Sequence, residues 1–162
     1  MKTLLLLRHA QTSSGSPTGR DLDRPLLEAG RRAASLVGQL LRRKHLAPDV
    51  VISSPATRAR ETAELICEAA QLVVPLRFDA RIYEASAEQL SAVVSEVEGG
   101  AQVILLVGHN PGLQELLARL TGEHAPMLPA TLARIDLDID AWNAPLTTQA
   151  ARLIFALPEG KS

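Results

Sequence analysis

Three short runs along the chain are almost wholly apolar: TLLLL at 3–7, VVI at 50–52 and VILLV at 103–107. Continuous runs of this length suit strands covered on both faces, as in a parallel sheet. The segments between them carry helical spacing. Over 26–45, Gly30, Ala34, Val37 and Leu41 recur on one face, Arg31, Arg42 and Arg43 take polar positions, and Pro48 stops the element. Ala59, Ala63, Ile66 and Ala70 form the stripe of 56–70. Leu90, Val93, Val94 and Val97 form that of 86–97, closed by Gly99-Gly100, and Leu113, Leu116, Leu117 and Leu120 that of 112–121. VVPLRF (73–78) reads as a fourth strand. After Pro129 the period changes: Ala133, Ile135, Leu137 and Ile139 alternate with Arg134, Asp136, Asp138 and Asp140, a half-exposed strand near an edge. RLIFAL (152–157) is the last strand, reached through a turn region at 140–148. Strands alternating with helices predict a layered α/β fold with a mostly parallel sheet.

Two of the apolar runs end abruptly on polar chemistry. TLLLL runs into Arg8 and His9, and VILLV into Gly108, His109 and Asn110. In open α/β sheets ligands bind at the carboxyl ends of strands, and Ser53 and Ser54 stand at the end of a third. One histidine beside an apolar run is more often structural. Two, each directly after a central strand, reach one crevice if both strands lie centrally in one sheet, and imidazole suits nucleophilic and proton-transfer work near neutrality.

In VISSPATRARET (51–62), Pro55 stands where a helix begins and Arg58 falls in its first turn, so free amides, the positive helix end and a forked cation face the same crevice. The plainer alternative makes Arg58, Arg60 and Glu61 a solvated helix face. In RDLDRPLLEAG (20–30), Arg24 is either a loop partner of Asp21 or Asp23 or a third cation over the site. Forked cations with backbone donors are what a phosphoryl dianion requires, and a histidine among them can attack phosphorus.

Composition narrows the classes. A chain of 162 residues is expected to form one domain, 1–162. Hydrophobic residues make up 46% and aromatics only 2%, so the core is aliphatic, and a net charge of −1 argues against nucleic acid or an anionic membrane as partner. Lys2 and the leucines after it resemble a secretion signal, but the run stops at Arg8, and no segment is long enough to span a bilayer. Cys67, the single cysteine, sits inside a helical stripe, which suits a reducing cytoplasm and makes a thiolate phosphatase a poor fit. There is no phosphate-binding P-loop, and His45 and His124 lack partners at zinc spacing, so no metal and no cofactor are expected.

LLLLRHAQT, ISSPATRARET and LLVGHNPG resemble the three signature segments of the histidine phosphatase superfamily, which includes the phosphoglycerate mutases. The small size, RHA in place of the commoner RHG, DLDRPL (21–26) and RIYEASAEQL (81–90) are similar to the phosphohistidine phosphatase (SixA) branch. The resemblance runs from Thr3 to about Leu157. It implies a three-layer fold, with helices on both faces of a mostly parallel central sheet and an antiparallel edge strand. It implies His9 as the phosphorylated nucleophile, Arg8 and Arg58 as holders of the phosphoryl oxygens, and His109 as a donor to them. Arg24 matches an arginine near the phosphate, and the Asn110 amide contributes. Glu84 matches a glutamate that serves as proton donor in the superfamily; alternatively it is a helix-entry carboxylate beside Ser86.

The activity implied is metal-independent hydrolysis through phosphohistidine. With little chain between Phe78 and Val103 for a lid, an open site favours a phosphorylated protein, such as a histidine phosphotransfer domain. The alternatives are a small phosphorylated metabolite and a non-catalytic phosphate-binding module. A monomer is favoured over an oligomer.

Overall fold

The computed structural model describes residues 1–145 and the backbone of a final strand at 151–157. The predicted turn at 140–148 lies partly outside the described residues. The elements are β1 (Lys2–Arg8), α1 (Glu28–Arg43), β2 (Val50–Ser53), α2 (Thr57–Ala69), β3 (Leu76–Phe78), α3 (Ala87–Ser95), β4 (Val103–Gly108), α4 (Gly112–Thr121), β5 (Leu132–Leu137) and β6 (Ala151–Leu157), with single 3-10 turns at Asp21–Asp23 and Ala80–Ile82. The strands form one sheet in the order β3-β2-β4-β1-β5-β6.

β1, β2, β3 and β4 pair in parallel, and β5 pairs antiparallel with both β1 and β6. The antiparallel strand is therefore β5, one place in from the edge. This agrees with the sequence expectation of a half-exposed strand near an edge; the edge itself is β6, which pairs antiparallel along the outer side of β5. β5 keeps the predicted alternation, with Ala133, Ile135 and Leu137 buried and Arg134 and Asp136 partly open and paired at 3.0 Å.

The leucine run is continuous because β1 is covered twice. Leu4 and Leu6 pack with Ile104, Leu106 and the inner faces of α3 and α4, where Leu90, Leu113 and Leu117 lie. Leu5 and Leu7 pack with Val51, Leu105 and Val107 under α1 and α2, where Ala34, Leu41, Ala63 and Ile66 lie. All four leucines have no solvent exposure. Lys2 belongs to the strand: its Nζ donates to the carbonyls of Gly99 (2.8 Å) and Ala101 (2.9 Å), and Trp142 Nε1 donates to the same Ala101 carbonyl at 2.7 Å. Among the described residues no helix is long and apolar enough to cross a membrane.

Three element bounds differ from the sequence expectation. The strand expected over 73–78 is confined to Leu76–Phe78, since Val73 is fully exposed and Pro75 has no N–H to give a neighbour. α2 begins at Thr57 rather than at Pro55, because Ala56, its N-cap, is still non-helical. α1 begins at Glu28, the preceding Leu26 N–H being taken by the Glu61 carboxylate at 3.0 Å.

Leu105 lies in the innermost pair of strands, and truncating it leaves a cavity the sheet cannot close. Leu105→Ala is expected to cost about 2–5 kcal/mol of unfolding free energy, read from the midpoint of urea denaturation. A loss below about 1 kcal/mol would contradict the central position given to β4.

Candidate active site

The two histidines meet because of strand register. β1 and β4 are neighbours in parallel, with Leu7 opposite Val107 and Arg8 opposite Gly108, and the His9 N–H donates to the Gly108 carbonyl at 3.1 Å. The next residues on each strand, His9 and His109, leave the sheet side by side. Their ring centroids are 5.2 Å apart and both are buried, at 6% and 9% exposure.

Each ring has one hydrogen-bond partner among the described residues, and that of His9 fixes its tautomer. His9 Nδ1 lies 2.8 Å from the Ala10 carbonyl, which can only accept, so Nδ1 carries the proton and Nε2 keeps its lone pair. The Ala10 N–H in turn donates to Thr62 Oγ1, whose hydroxyl donates to the Arg58 carbonyl, tying the turn after β1 to α2. On the other side Gly30 lets α1 close on this turn: a Cβ there would stand 2.2 Å from the Gln11 carbonyl oxygen. His109 Nε2 lies 2.8 Å from Ser54 Oγ, which already accepts the Ala56 N–H at 3.2 Å. With the Ser54 hydroxyl as donor to His109 Nε2, the proton of a neutral His109 sits on Nδ1. That nitrogen is buried with no partner among the described residues.

Two guanidinium groups converge on one carboxylate. Asp21, in the 3-10 turn after β1, accepts Arg24 Nε on Oδ1 (2.9 Å), and Arg58 Nη2 (3.0 Å) and the Tyr83 hydroxyl (2.6 Å) on Oδ2; its backbone carbonyl accepts Arg58 Nη1 (2.8 Å). Arg58 Nε is buried with no partner among the described residues. Tyr83 stands between the two halves of the site, edge-on to His109 with centroids 5.6 Å apart and under the Arg58 guanidinium at 5.9 Å. Arg8 donates from Nη1 to the Met127 carbonyl at 3.2 Å.

Of the two readings of Arg24 left open by the sequence, the structure shows the loop partner: it pairs with Asp21 and donates to the Ser13 carbonyl at 2.9 Å, and its charge adds to the lowering of His9. The solvated-face reading of Arg58 does not hold, since Arg58 is buried at 6% exposure while Arg60 faces solvent with Glu64. The Asn110 side chain spends its amide on the Met127 carbonyl (2.8 Å) and on Gln114 Oε1 (2.9 Å), pinning the loop that also receives Arg8. Glu84 is exposed on the wall of a cleft that includes His109. The helix-entry role beside it falls to Ser86 and Gln89, which form the capping box of α3.

Sequence reasoning missed Asp21 as an organising group, Tyr83 as the bridge, and the Ser54 contact to His109. The strand-end position of Ser54 was visible; its partner depends on the neighbouring strand. Tyr83 and Asp21 sit in loops 62 residues apart in sequence, with no pattern linking them.

Burial dominates the electrostatics of the pair. It lowers His9 to about 4, with the charges of Arg58, Arg8 and Arg24 adding to the effect and the Ala10 carbonyl opposing it. Burial likewise lowers His109 to about 3, helped by His9, Arg58 and Arg8 and opposed by Asp21. Asp21 is held down at about 2, first by the Tyr83 hydroxyl and then by Arg58 and Arg24. At neutral pH both rings are uncharged and Asp21 is ionised.

The pH dependence of stability follows. Between pH 6.5 and about 4 the unfolded chain binds protons at these histidines that the folded chain does not, so folding stability falls as pH drops through that window. Urea unfolding across pH 7 to 4 should show this decline, and it should flatten in a His9→Asn/His109→Asn double variant. A wild-type slope no steeper than that of the double variant would refute the neutral pair.

Comparisons with known proteins agree with this geometry. Residues 4–98, more than half of the chain, match the histidine phosphatase superfamily (branch 1). An uncharacterized protein of Mycobacterium tuberculosis is 36% identical over 123 residues, covering 74% of each chain. Among solved structures, the chain is similar to a protein from Nakamurella multipartitia assigned as the phosphohistidine phosphatase SixA (TM-score 0.84, 30% identity, 99% of this chain and 97% of that one). It is also similar to one from Agrobacterium tumefaciens with the same assignment (TM-score 0.80, 29% identity, 96% and 97%). With signature segments, fold and strand-end histidines in agreement, the chain belongs to the histidine phosphatase superfamily.

Proposed function

We propose that this protein, a single catalytic domain over 1–162, is a metal-independent phosphatase that removes the phosphoryl group from protein phosphohistidine through a covalent intermediate on His9. The observation that carries this reading is the pair of buried imidazoles 5.2 Å apart, beside two donors, Arg58 Nε and His109 Nδ1, that a phosphoryl oxygen would satisfy. The similarity to SixA-assigned structures supports the substrate class.

The reaction has two displacements. His9 Nε2 attacks phosphorus in line as the bond to the substrate imidazole breaks, and the leaving nitrogen takes the bonding pair and a proton from water or from Glu84. The Nδ1–H to Ala10 bond keeps the attacking ring aligned and supports its developing positive charge. Water then attacks phosphorus, the P–N bond to His9 breaks with its electrons returning to Nε2, and inorganic phosphate departs. Arg8, Arg58 and Arg24, with the Nδ1–H of His109, stabilise charge on the three equatorial oxygens in both steps. Burial keeps His9 unprotonated at neutral pH, the form that can attack.

The partner follows from access. Between β3 and β4 the chain forms only a 3-10 turn and α3, so this segment adds no cap, and Asp21 and Glu84 are exposed at the rim. A side chain on a folded phosphotransfer domain can approach such a site. A reducing cytoplasm, where such domains signal, accords with the single cysteine, and we assign the enzyme there.

Incubation with a phosphorylated phosphotransfer domain tests the reading. His9→Ala should abolish dephosphorylation and the acid-labile label on the enzyme. Arg58→Ala should lower kcat/KM by about 10²–10³. A label that persists in His9→Ala, or higher kcat/KM on sugar phosphates or acyl phosphates than on phosphohistidine, would overturn it.

A further inference from the structure

A cleft of about 380 Å3 opens beside His109, between the turn that carries Glu84 and the first turn of α4. We propose that this cleft is the leaving-group subsite, and that it accepts a neutral or positively charged nitrogenous group while rejecting a second anion. The inference rests on the phosphatase reading for what occupies the neighbouring phosphoryl position, and adds the charge the substrate carries next to it.

The inner wall is His109, more than nine-tenths buried, with its Nδ1 unpartnered among the described residues. On the phosphoryl side, Arg58, Arg8 and Arg24 act on the His9 ring, and Arg58 and Arg8 also act on His109; none of the three lines the cleft. The cleft has the opposite character. Its lining includes the exposed carboxylates of Glu84 and Glu115, and no Lys or Arg is among the described residues that line it. Of the remaining polar wall, Gln89 Oε1 accepts the Ser86 N–H and Asn110 Nδ2 donates to Met127 and Gln114, while Asn110 Oδ1 is buried with no partner among the described residues and is an acceptor for a nitrogen donor.

Two features make this a built arrangement. Gly112 is the position at which α4 meets the Glu84 turn, and a Cβ there would stand 2.3 Å from the Ala85 carbonyl oxygen. Glycine is what lets the two carboxylate-bearing segments close on one cleft. Glu84 itself holds a left-handed backbone (φ 55°), fixed by the 3-10 turn before it and the capping box after it, which turns this residue out of the helical path. The positive end of α4 would favour an anion, but the first-turn Glu115 offsets it, and the Leu113 and Glu115 amides are bonded to the carbonyls of His109 and Pro111. Cations flank the phosphoryl position and carboxylates flank the next, so a substrate matches if its phosphate dianion joins an imidazole, guanidinium or ammonium group. A phosphate joined to a carboxylate or a second phosphate meets like charge.

The test compares two ligands of similar size and opposite leaving-group charge, phosphoethanolamine and phosphoglycolate, bound to the non-turning-over His9→Ala protein and followed by calorimetry. Phosphoethanolamine should bind more tightly. The ratio of the two affinities should fall about threefold in Glu115→Gln and about tenfold in Glu115→Lys, since adding or removing one screened charge acts oppositely on the two ligands. Glu88→Gln supplies the same charge change outside the cleft, on the exposed pair with Arg119, and should leave the ratio within twofold. No detectable phosphoethanolamine binding at millimolar concentration, a ratio unmoved in Glu115→Lys, or an equal shift in Glu88→Gln would each overturn the subsite. Phosphate release from phosphoimidazole by the wild type separates this inference from the one beneath it: its absence, with the affinity ratio behaving as expected, would refute the phosphohistidine reading and leave the charge selectivity standing.

Discussion

The pairing of β1 with β4 is the constraint on which the site depends. The register is offset by one hundred residues along its whole length, from Thr3 opposite Val103 to Arg8 opposite Gly108. Side chains alternate faces in a strand, so a slip of one residue would turn Leu4 and Leu6 toward α1 and α2 and Leu5 and Leu7 toward α3 and α4. Each face is packed to zero exposure by a different pair of helices, which makes either slip costly. The spacing of the two histidines is thus inherited from aliphatic packing below it: the leucines set where the strands end, and the histidines are the next residue on each. Ser54 follows the same logic one strand further, since Ser53 lies opposite Val107 on β4 and Ser54 reaches the His109 ring from the adjacent strand end.

This dependence explains what could be read from the sequence. Apolar runs followed at once by Arg8-His9 and by His109 are local signals, and the sheet that joins them follows from strand and helix alternation, so the pair and its end of the sheet were legible. Arg58 was legible as a first-turn residue after a strand, and its burial at 6% exposure is what the α1–α2 layer adds. Contacts made through irregular backbone were not legible. Asp21 receives two arginines and a tyrosine because the 11–27 segment folds back over α2, held by Leu27 N–H on Gln11 and Ser13 N–H on Pro25, and no period encodes that path. Likewise the alternation at 133–140 gave β5 its faces, but its place second from the edge depended on β6 pairing beyond it.

The charges in this site form a consistent set before any substrate is considered. Three guanidinium groups act on the His9 ring, and one ionised carboxylate, Asp21, takes hydrogen bonds from two of them. With both imidazoles neutral, three positive charges less one negative leave two, the charge of a phosphoryl dianion. Had Asp21 been absent, the surplus would be three, and Arg58 would lose the acceptor of Nη2 in a buried position, where an unpaired charge is costly. Had the histidines been protonated, the repulsion among five cations would oppose folding, and His9 would have no lone pair to offer. Burial therefore serves two ends with one cause. It keeps the rings neutral, which leaves Nε2 of His9 its lone pair, and it holds the fixed charge at the value that the proposed phosphoryl dianion would neutralise. On the proposed phosphatase reading, the half-exposed Asp21 is the counter-ion that orients the arginines beforehand, so that binding a dianion would need little rearrangement of the groups proposed to stabilise its transition state.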